Sequence, residues 1–136
     1  EKLPILAENT EYNYISRMPV SGQSEKEGDR MAKVMDHVLK NYASEIRVND
    51  VARLLNMADN SFSRYFSQRT RKTFTSFVNE VRLNHACKLL IENRLSVAQI
   101  CFECGFNNLS NFNKHFRDLY RQTPLAYRKQ YIGKVL

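Results

Sequence analysis

Apolar residues recur along most of the chain at the three- and four-residue intervals of helices, and no stretch alternates as a strand does. Met31, Val34, Met35, Val38, Leu39 and Tyr42 mark one face of a helix that starts near Asp29. Val48 to Leu55 forms a short second helix, Asn56 to Asp59 a turn, and Asn60 to about Thr70 a third helix. In that third helix Phe62 and Phe66 point inward at i, i+4 spacing. Thr73 can cap a long fourth helix to about Asn93, with the stripe Phe74, Phe77, Val78, Val81, Ala86, Leu89 and Leu90. Ser96 caps a fifth through Cys104, and Gly105-Phe106-Asn107 turns. Asn108 caps a sixth to about Tyr120, and Pro124 sits in the first turn of a last helix ending near Tyr131. Residues 3–7 read as the end of a further helix, and residues 19–28 as a solvated linker. The expectation is an all-α fold of about seven helices.

The pattern repeats fifty residues on. Phe62-x-Arg64-x-Phe66 is followed by Thr73 and Phe77, and Phe112-x-Lys114-x-Phe116 by Thr123 and Tyr127, at the same intervals. Arg71 and Arg121 fall at the same place in each copy, and Val51-Ala52 answers Ile100-Cys101 with one residue gained in the second turn. Each copy pairs a short helix with a second, basic helix, which is the arrangement of a helix-turn-helix. One such corner occurs in any helical bundle; two in register, each with a basic residue between two aromatics, are a stronger signal. The expected organisation is a tail or linker at 1–28 and a domain at 29–136. Within the domain lie helix-turn-helix units at 48–70 and 96–120, a linker helix at 73–93 and a C-terminal helix at 124–131. Roughly twenty residues at about 1.5 Å each make the linker helix about 30 Å long. One DNA turn is about 34 Å. A rigid helix of that length can set two recognition helices into successive major grooves.

Charge agrees with this picture. Residues 1–28 carry a net −2 and residues 29–136 a net +9, which makes up the chain's +7. A basic domain with clustered Arg and Lys attracts phosphate backbones. No apolar run approaches the eighteen or so residues of a membrane span, and the first residues do not resemble a signal peptide. Three cysteines offer no disulfide framework and favour a reducing compartment, so the expected location is the cytoplasm, at the nucleoid. Cys101-x-x-Cys104 has metal or redox spacing, but it lies in the apolar run Val97, Ile100, Cys101, Cys104, where cysteine acts as a small hydrophobe. No metal and no cofactor are expected. No Ser/His/Asp set, phosphate-cradling glycine loop or matched carboxylate pair is present, so the chain is not expected to be an enzyme. Arg82 and His85 lie on the linker helix. Arg82 reads as an ion-pairing or helix-orienting residue, and nothing in the pattern around His85 suggests catalysis or metal binding.

The segments VARLLNMADNSFSRYF, VRLNHACKLL, SVAQICFECGFNNLSNFNKHF and TPLAYR resemble the DNA-binding domain of the AraC/XylS family of bacterial transcription regulators. The resemblance covers about residues 29–136, and its last two segments are the most specific. It implies two helix-turn-helix subdomains on a long helix, double-stranded promoter DNA as partner, and RNA polymerase as a further candidate partner. Activation is the favoured sign. Family members usually carry a preceding regulatory domain, so a small-molecule effector would act only through such a domain, of which residues 1–20 look like a remnant.

Carried over by position, Asn60, Ser61, Ser63 and Arg64 would face base edges from the first recognition helix. Leu109, Ser110, Asn113 and Lys114 would do so from the second. Arg and Lys suit guanine, Asn suits adenine, and Leu can meet a thymine methyl. Arg71, Lys72 and Thr73 in one lobe, and Arg121, Gln122 and Thr123 in the other, precede helix starts, where amides and the helix dipole favour phosphate. The family commonly has glycine at the positions of Arg71 and Arg121. Either the turns differ here, or phosphate contacts offset a left-handed arginine that costs roughly 1–2 kcal/mol. The competing reading is a basic helical interaction module for an acidic protein partner.

Overall fold

The computed structural model describes residues 25–135, and side chains for residues 28–132. These residues form seven helices and no strand. They are α1 (Glu25–Asn41), α2 (Val48–Leu54), α3 (Asp59–Thr70), α4 (Phe74–Glu92), α5 (Val97–Glu103), α6 (Leu109–Tyr120) and α7 (Pro124–Val135). No helix among them is long and apolar enough to cross a membrane.

The caps explain most boundaries. Thr73, Ser96 and Asn108 each accept a hydrogen bond from the backbone N–H three residues on, at 3.1, 3.1 and 2.9 Å. The Thr123 hydroxyl accepts likewise from Ala126 at 3.1 Å. Each such bond satisfies one of the orphan amides at a helix start. Two boundaries differ from expectation. Residues 25–28 belong to α1 rather than to a linker, because Glu and Lys are good helix formers and one glycine costs only about 1 kcal/mol. The last helix continues past Tyr131 through Gly133 for the same reason. The remaining linker positions, 19–24, and the helix end expected at 3–7 lie outside the described residues.

Two hydrophobic cores form, joined by α4. The first gathers α1, α2 and α3 around Val34, Val38, Val51, Phe62, Phe66 and the first half of α4. The second gathers α5, α6 and α7 around Ile100, Cys101, Phe112, Phe116, Tyr127 and the second half of α4. Phe74, Phe77, Val78 and Val81 serve the first core; Leu83, Ala86, Cys87 and Leu90 serve the second. The buried face of α4 therefore turns between Val81 and Leu83. This is why a single stripe missed Leu83 and Cys87.

The repeat in sequence is a repeat in packing. Phe66 meets Phe77 edge-on at 5.4 Å, and Phe116 meets Tyr127 edge-on at the same distance. A half-buried polar link ties α6 to α4, where the Tyr120 hydroxyl donates to Asn84 Oδ1 at 2.5 Å. Arginines hold the carbonyls at both helix C-termini that face the junctions. Arg82 on α4 donates to the carbonyls of Tyr42 and Ser44 after α1. Arg128 on α7 donates to those of Leu90 and Leu95 around the end of α4. Cations suit these ends because the helix dipole is negative there.

Candidate nucleic-acid interface

In each lobe a short helix braces a longer one. Two aromatics anchor each longer helix: Phe62 and Phe66 on α3, Phe112 and Phe116 on α6, all fully buried. With those rings inward, the opposite faces of α3 and α6 turn to solvent. On α3, Asn60 and Arg64 are exposed, and Ser61 and Ser63 are half-buried. On α6, Leu109, Ser110 and Lys114 are exposed, and Asn113 is half-buried. These positions are turn-spaced and open on one side of each helix.

A shallow cleft along α6 is lined by Ser110, Asn113, Lys114, Arg117, Asp118 and Arg121. It brings three of the four expected α6 residues together with Arg121, and adds two that local patterns had not singled out. Arg117 and Asp118 lie one turn beyond Asn113 and Lys114, so helical spacing alone was enough to find them. Their counterparts on α3 are Ser67 and Gln68. At these positions α6 therefore carries a charged pair, Arg117 and Asp118, where α3 carries two neutral side chains.

Arg71 and Arg121 end α3 and α6 in the left-handed region, at φ 62°, ψ 25° and φ 63°, ψ 24°. The turn is thus the ordinary glycine-type cap, with arginine in place of glycine. Their amides close onto the carbonyls of Ser67 and Arg117, each at 2.8 Å. Both side chains are exposed.

The residues after them divide. The Lys72 ammonium lies 2.7 Å from Glu80 Oε1, in a half-buried ion pair within the first lobe. That pairing competes with the phosphate contact expected of Lys72, because Glu80 already neutralises its charge. Gln122 is half-buried. Thr73 and Thr123 use their hydroxyl oxygens as caps, which leaves the hydroxyl hydrogens as the groups able to donate.

The linker-helix residues are structural. Arg82 fulfils the helix-orienting role, and the His85 ring stacks on Tyr42 with centroids 4.0 Å apart. The three thiols are buried and free. Burial pushes Cys87 up to about 11 and Cys104 up to about 12, so both stay protonated near neutral pH. Protonated buried thiols are poor nucleophiles and poor metal ligands. Among the described residues, no group of three or more His, Cys, Asp or Glu side chains is arranged to hold a metal.

Comparison with known proteins places these features in a wider set. The helix-turn-helix domain family matches residues 32–130. The Msm operon regulatory protein of Streptococcus mutans is 28% identical over 130 residues, covering 96% of this chain and 46% of that protein. The regulatory protein PocR of Salmonella typhimurium is 31% identical over 123 residues, covering 90% of this chain and 39% of that protein. The chain thus spans less than half the length of these curated relatives. Among solved structures, the DNA-binding domain of AdpA in complex with a target DNA superimposes with a TM-score of 0.71 at 26% identity, covering 77% of this chain and 95% of that one. An AraC-type regulator of Chromobacterium violaceum gives 0.71 at 23% identity, covering 79% and 96%.

Proposed function

This chain belongs to the AraC/XylS family of helix-turn-helix transcription regulators, and from that premise we propose that α3 and α6 read two boxes of promoter DNA in successive major grooves. The observation that carries the proposal is the duplicated exposed face. Each recognition helix is pinned by two buried phenylalanines and turns a basic, polar side to solvent, and one continuous helix joins the two. The 19 residues of α4, at about 1.5 Å each, give a span close to one turn of DNA. AdpA, of the same fold, was solved on its target DNA.

The residues proposed to meet base edges are Asn60, Ser61, Ser63 and Arg64 on α3, and Leu109, Ser110, Asn113 and Lys114 on α6. Arg71, Arg121, Thr73, Thr123 and Gln122 are proposed to hold phosphate; Lys72 is the weakest of that set, given Glu80. Arg117 joins them as a phosphate contact from the α6 cleft. Activation is the proposed sign of regulation, with RNA polymerase as a partner, and the role is binding rather than catalysis.

Selection from random oligonucleotides, followed by footprinting, tests the reading. It should return two short boxes about 10–11 bp apart, centre to centre. Inserting about 5 bp between them puts the boxes on opposite faces of the duplex. That insertion should abolish most of the specific affinity; if it is harmless, only one lobe reads bases. Failure to prefer any sequence, with tight salt-sensitive binding to an acidic protein, would instead favour an interaction module.

Arg64→Ala should cost roughly 1–3 kcal/mol on the selected site and relax preference at one base pair. A uniform loss on all sequences would make Arg64 a phosphate contact. The first box should be the stronger of the two, since Arg64 can pair bidentately with guanine while Lys114 is a point charge.

Arg71→Gly and Arg121→Gly separate strain from binding. Each should raise stability by about 1 kcal/mol, because glycine removes the left-handed penalty. Each should also weaken selected and random DNA alike, and lower the salt-dependence slope by about one for each phosphate no longer neutralised. An unchanged slope in the double variant would mean that these side chains point away from DNA.

A further inference from the structure

Besides their shared α4, the two lobes meet closely at the turn after α5. Arg82 sits where α4 passes from the first core, at Val81, to the second, at Leu83. Its Nε donates to the Tyr42 carbonyl at 2.8 Å and its Nη2 to the Ser44 carbonyl at 2.9 Å, both in the first lobe. The same guanidinium lies 5.8 Å from the centroid of the Phe106 ring, in the second lobe. Beside Phe106, Gly105 has φ +101°. A Cβ there would stand 2.4 Å from the Tyr42 carbonyl oxygen, 2.9 Å from Arg82 Nε and 3.1 Å from Ala43 Cα. The turn of the second helix-turn-helix therefore rests, backbone to backbone, on the end of α1, with Arg82 against both.

The equivalent turn in the first lobe shows that this is particular to the junction. Asn56 holds the corresponding position, also at positive φ, and its side chain is exposed. Asparagine tolerates its φ of 56°, whereas Gly105 at +101° lies beyond that left-handed well, so its backbone already favours glycine. At Gly105 the first lobe occupies the space a side chain would need. Four residues later α6 begins at Leu109. The seat of Gly105 thus bears directly on where the second recognition helix lies relative to the first lobe. His85, one turn along α4 from Arg82, stacks on Tyr42 and holds the same end of α1.

We propose that Arg82, seated between the Tyr42 and Ser44 carbonyls and Gly105, is a positioning residue that fixes the angle between α3 and α6 and so sets the box spacing that the chain accepts. Its effect on specificity rests on the two-box reading above; its effect on geometry does not. A guanidinium that donates to two carbonyls of one lobe while packed on a ring of the other resists hinge motion about the middle of α4. Two linked reading heads gain affinity only where their geometry matches the site. Loosening the link should therefore leave each head intact and blur the match.

The experiment has two arms. In the first, the whole chain and the variants Arg82→Met, Arg82→Lys and Gly105→Ala are titrated with duplexes whose box spacing departs from the selected one by up to two base pairs either way, and with a single-box duplex. The parent chain should prefer its own spacing sharply. In Arg82→Met that preference should fall roughly fivefold or more, with single-box affinity unchanged and Arg82→Lys intermediate. Gly105→Ala should broaden or shift the preferred spacing. In the second arm, without DNA, spin labels at Ala32→Cys on α1 and Lys129→Cys on α7 report the distance between lobes, the native thiols being buried. The distribution should be narrow in the parent and broader in Arg82→Met. An equally narrow distribution in folded Arg82→Met, or an unchanged spacing profile beside a sharp parent profile, overturns the proposal. A flat profile in the parent defeats the two-box reading instead, and leaves the distance arm to decide the lock. Should Arg82→Met fail to melt cooperatively, Arg82→Lys and Gly105→Ala decide both arms by the same criteria.

Discussion

Phe116→Ala should destabilise the protein by about 3–5 kcal/mol, the range for removing a buried ring from a packed core. Phe116 is fully buried and meets the Phe112, Tyr120 and Tyr127 rings at centroid distances of 6.0, 4.7 and 5.4 Å. Truncation removes its dispersion interactions and leaves a cavity that the stiff neighbouring rings cannot collapse into. A domain of this size has total stability on the order of 5–15 kcal/mol, so the loss takes a large share of it. The melting temperature should fall by more than about 10 °C. Specific DNA binding should fail at temperatures where the parent chain still binds, because α6 loses its anchor. Thermal and urea melts measure the change. A loss under about 1 kcal/mol would mean that the second core repacks freely and that α6 is not held by its aromatics.

Cys101→Asp should be at least as damaging near neutral pH, and its dependence on pH is diagnostic. Cys101 is fully buried on α5 beside Ile100 and Cys104. An aspartate there must either lose hydration as an anion or take up a proton, and an unpaired buried charge costs several kcal/mol. Burial raises the folded-state pKa of that carboxyl above the unfolded value of about 3.9. The unfolded chain then binds fewer protons than the folded one between those two values. Stability is therefore greatest below about pH 4 and falls as pH rises through the folded pKa. Melts of Cys101→Asp at pH 4 and pH 7, beside Cys101→Ala as a size control, should show a gap that widens with pH. Chelators should change neither the melting of the parent chain nor its DNA binding. A Cys101→Asp variant as stable as Cys101→Ala at pH 7, or zinc that leaves with loss of binding, would show that Cys101 is not a buried hydrophobe.

Much of this molecule was legible because its informative residues act locally. A threonine, serine or asparagine at a helix start finds its amide three residues on. Thr73, Ser96, Asn108 and Thr123 accordingly cap where spacing placed them. Phenylalanines four residues apart share a helix face wherever the helix sits, so Phe62 with Phe66 and Phe112 with Phe116 were identifiable as anchors. Once the anchors are inward, the opposite face is outward, which is how Asn60, Arg64, Leu109, Ser110 and Lys114 come to be exposed.

What the chain did not disclose depends on partners distant in sequence. Lys72 was expected to hold phosphate on the strength of its loop; Glu80, eight residues on, pairs with it in the folded lobe. Leu83 and Cys87 fell off the expected stripe because α4 serves two cores, and the face it buries changes where the second core begins. Arg82 was legible as a helix-orienting residue, but its partners, and the seat of Gly105, were beyond any local pattern. Arg82 meets carbonyls 40 and 38 residues away, and Gly105, already favoured by its φ of +101°, is also short of room because of the end of α1.

By itself, then, the sequence determined the helices of the described residues, the caps at Thr73, Ser96, Asn108 and Thr123, the twofold repeat and the outward basic faces, since each follows from spacings of a few residues and from hydrophobic periodicity. Tertiary structure alone decided that Arg71 and Arg121 occupy the strained left-handed cap, that Lys72 is engaged by Glu80, and that the lobes meet at Gly105. The last two outcomes rest on packing between segments that the backbone brings together only on folding; the caps close locally onto Ser67 and Arg117, with arginine taking the conformation that glycine adopts more cheaply.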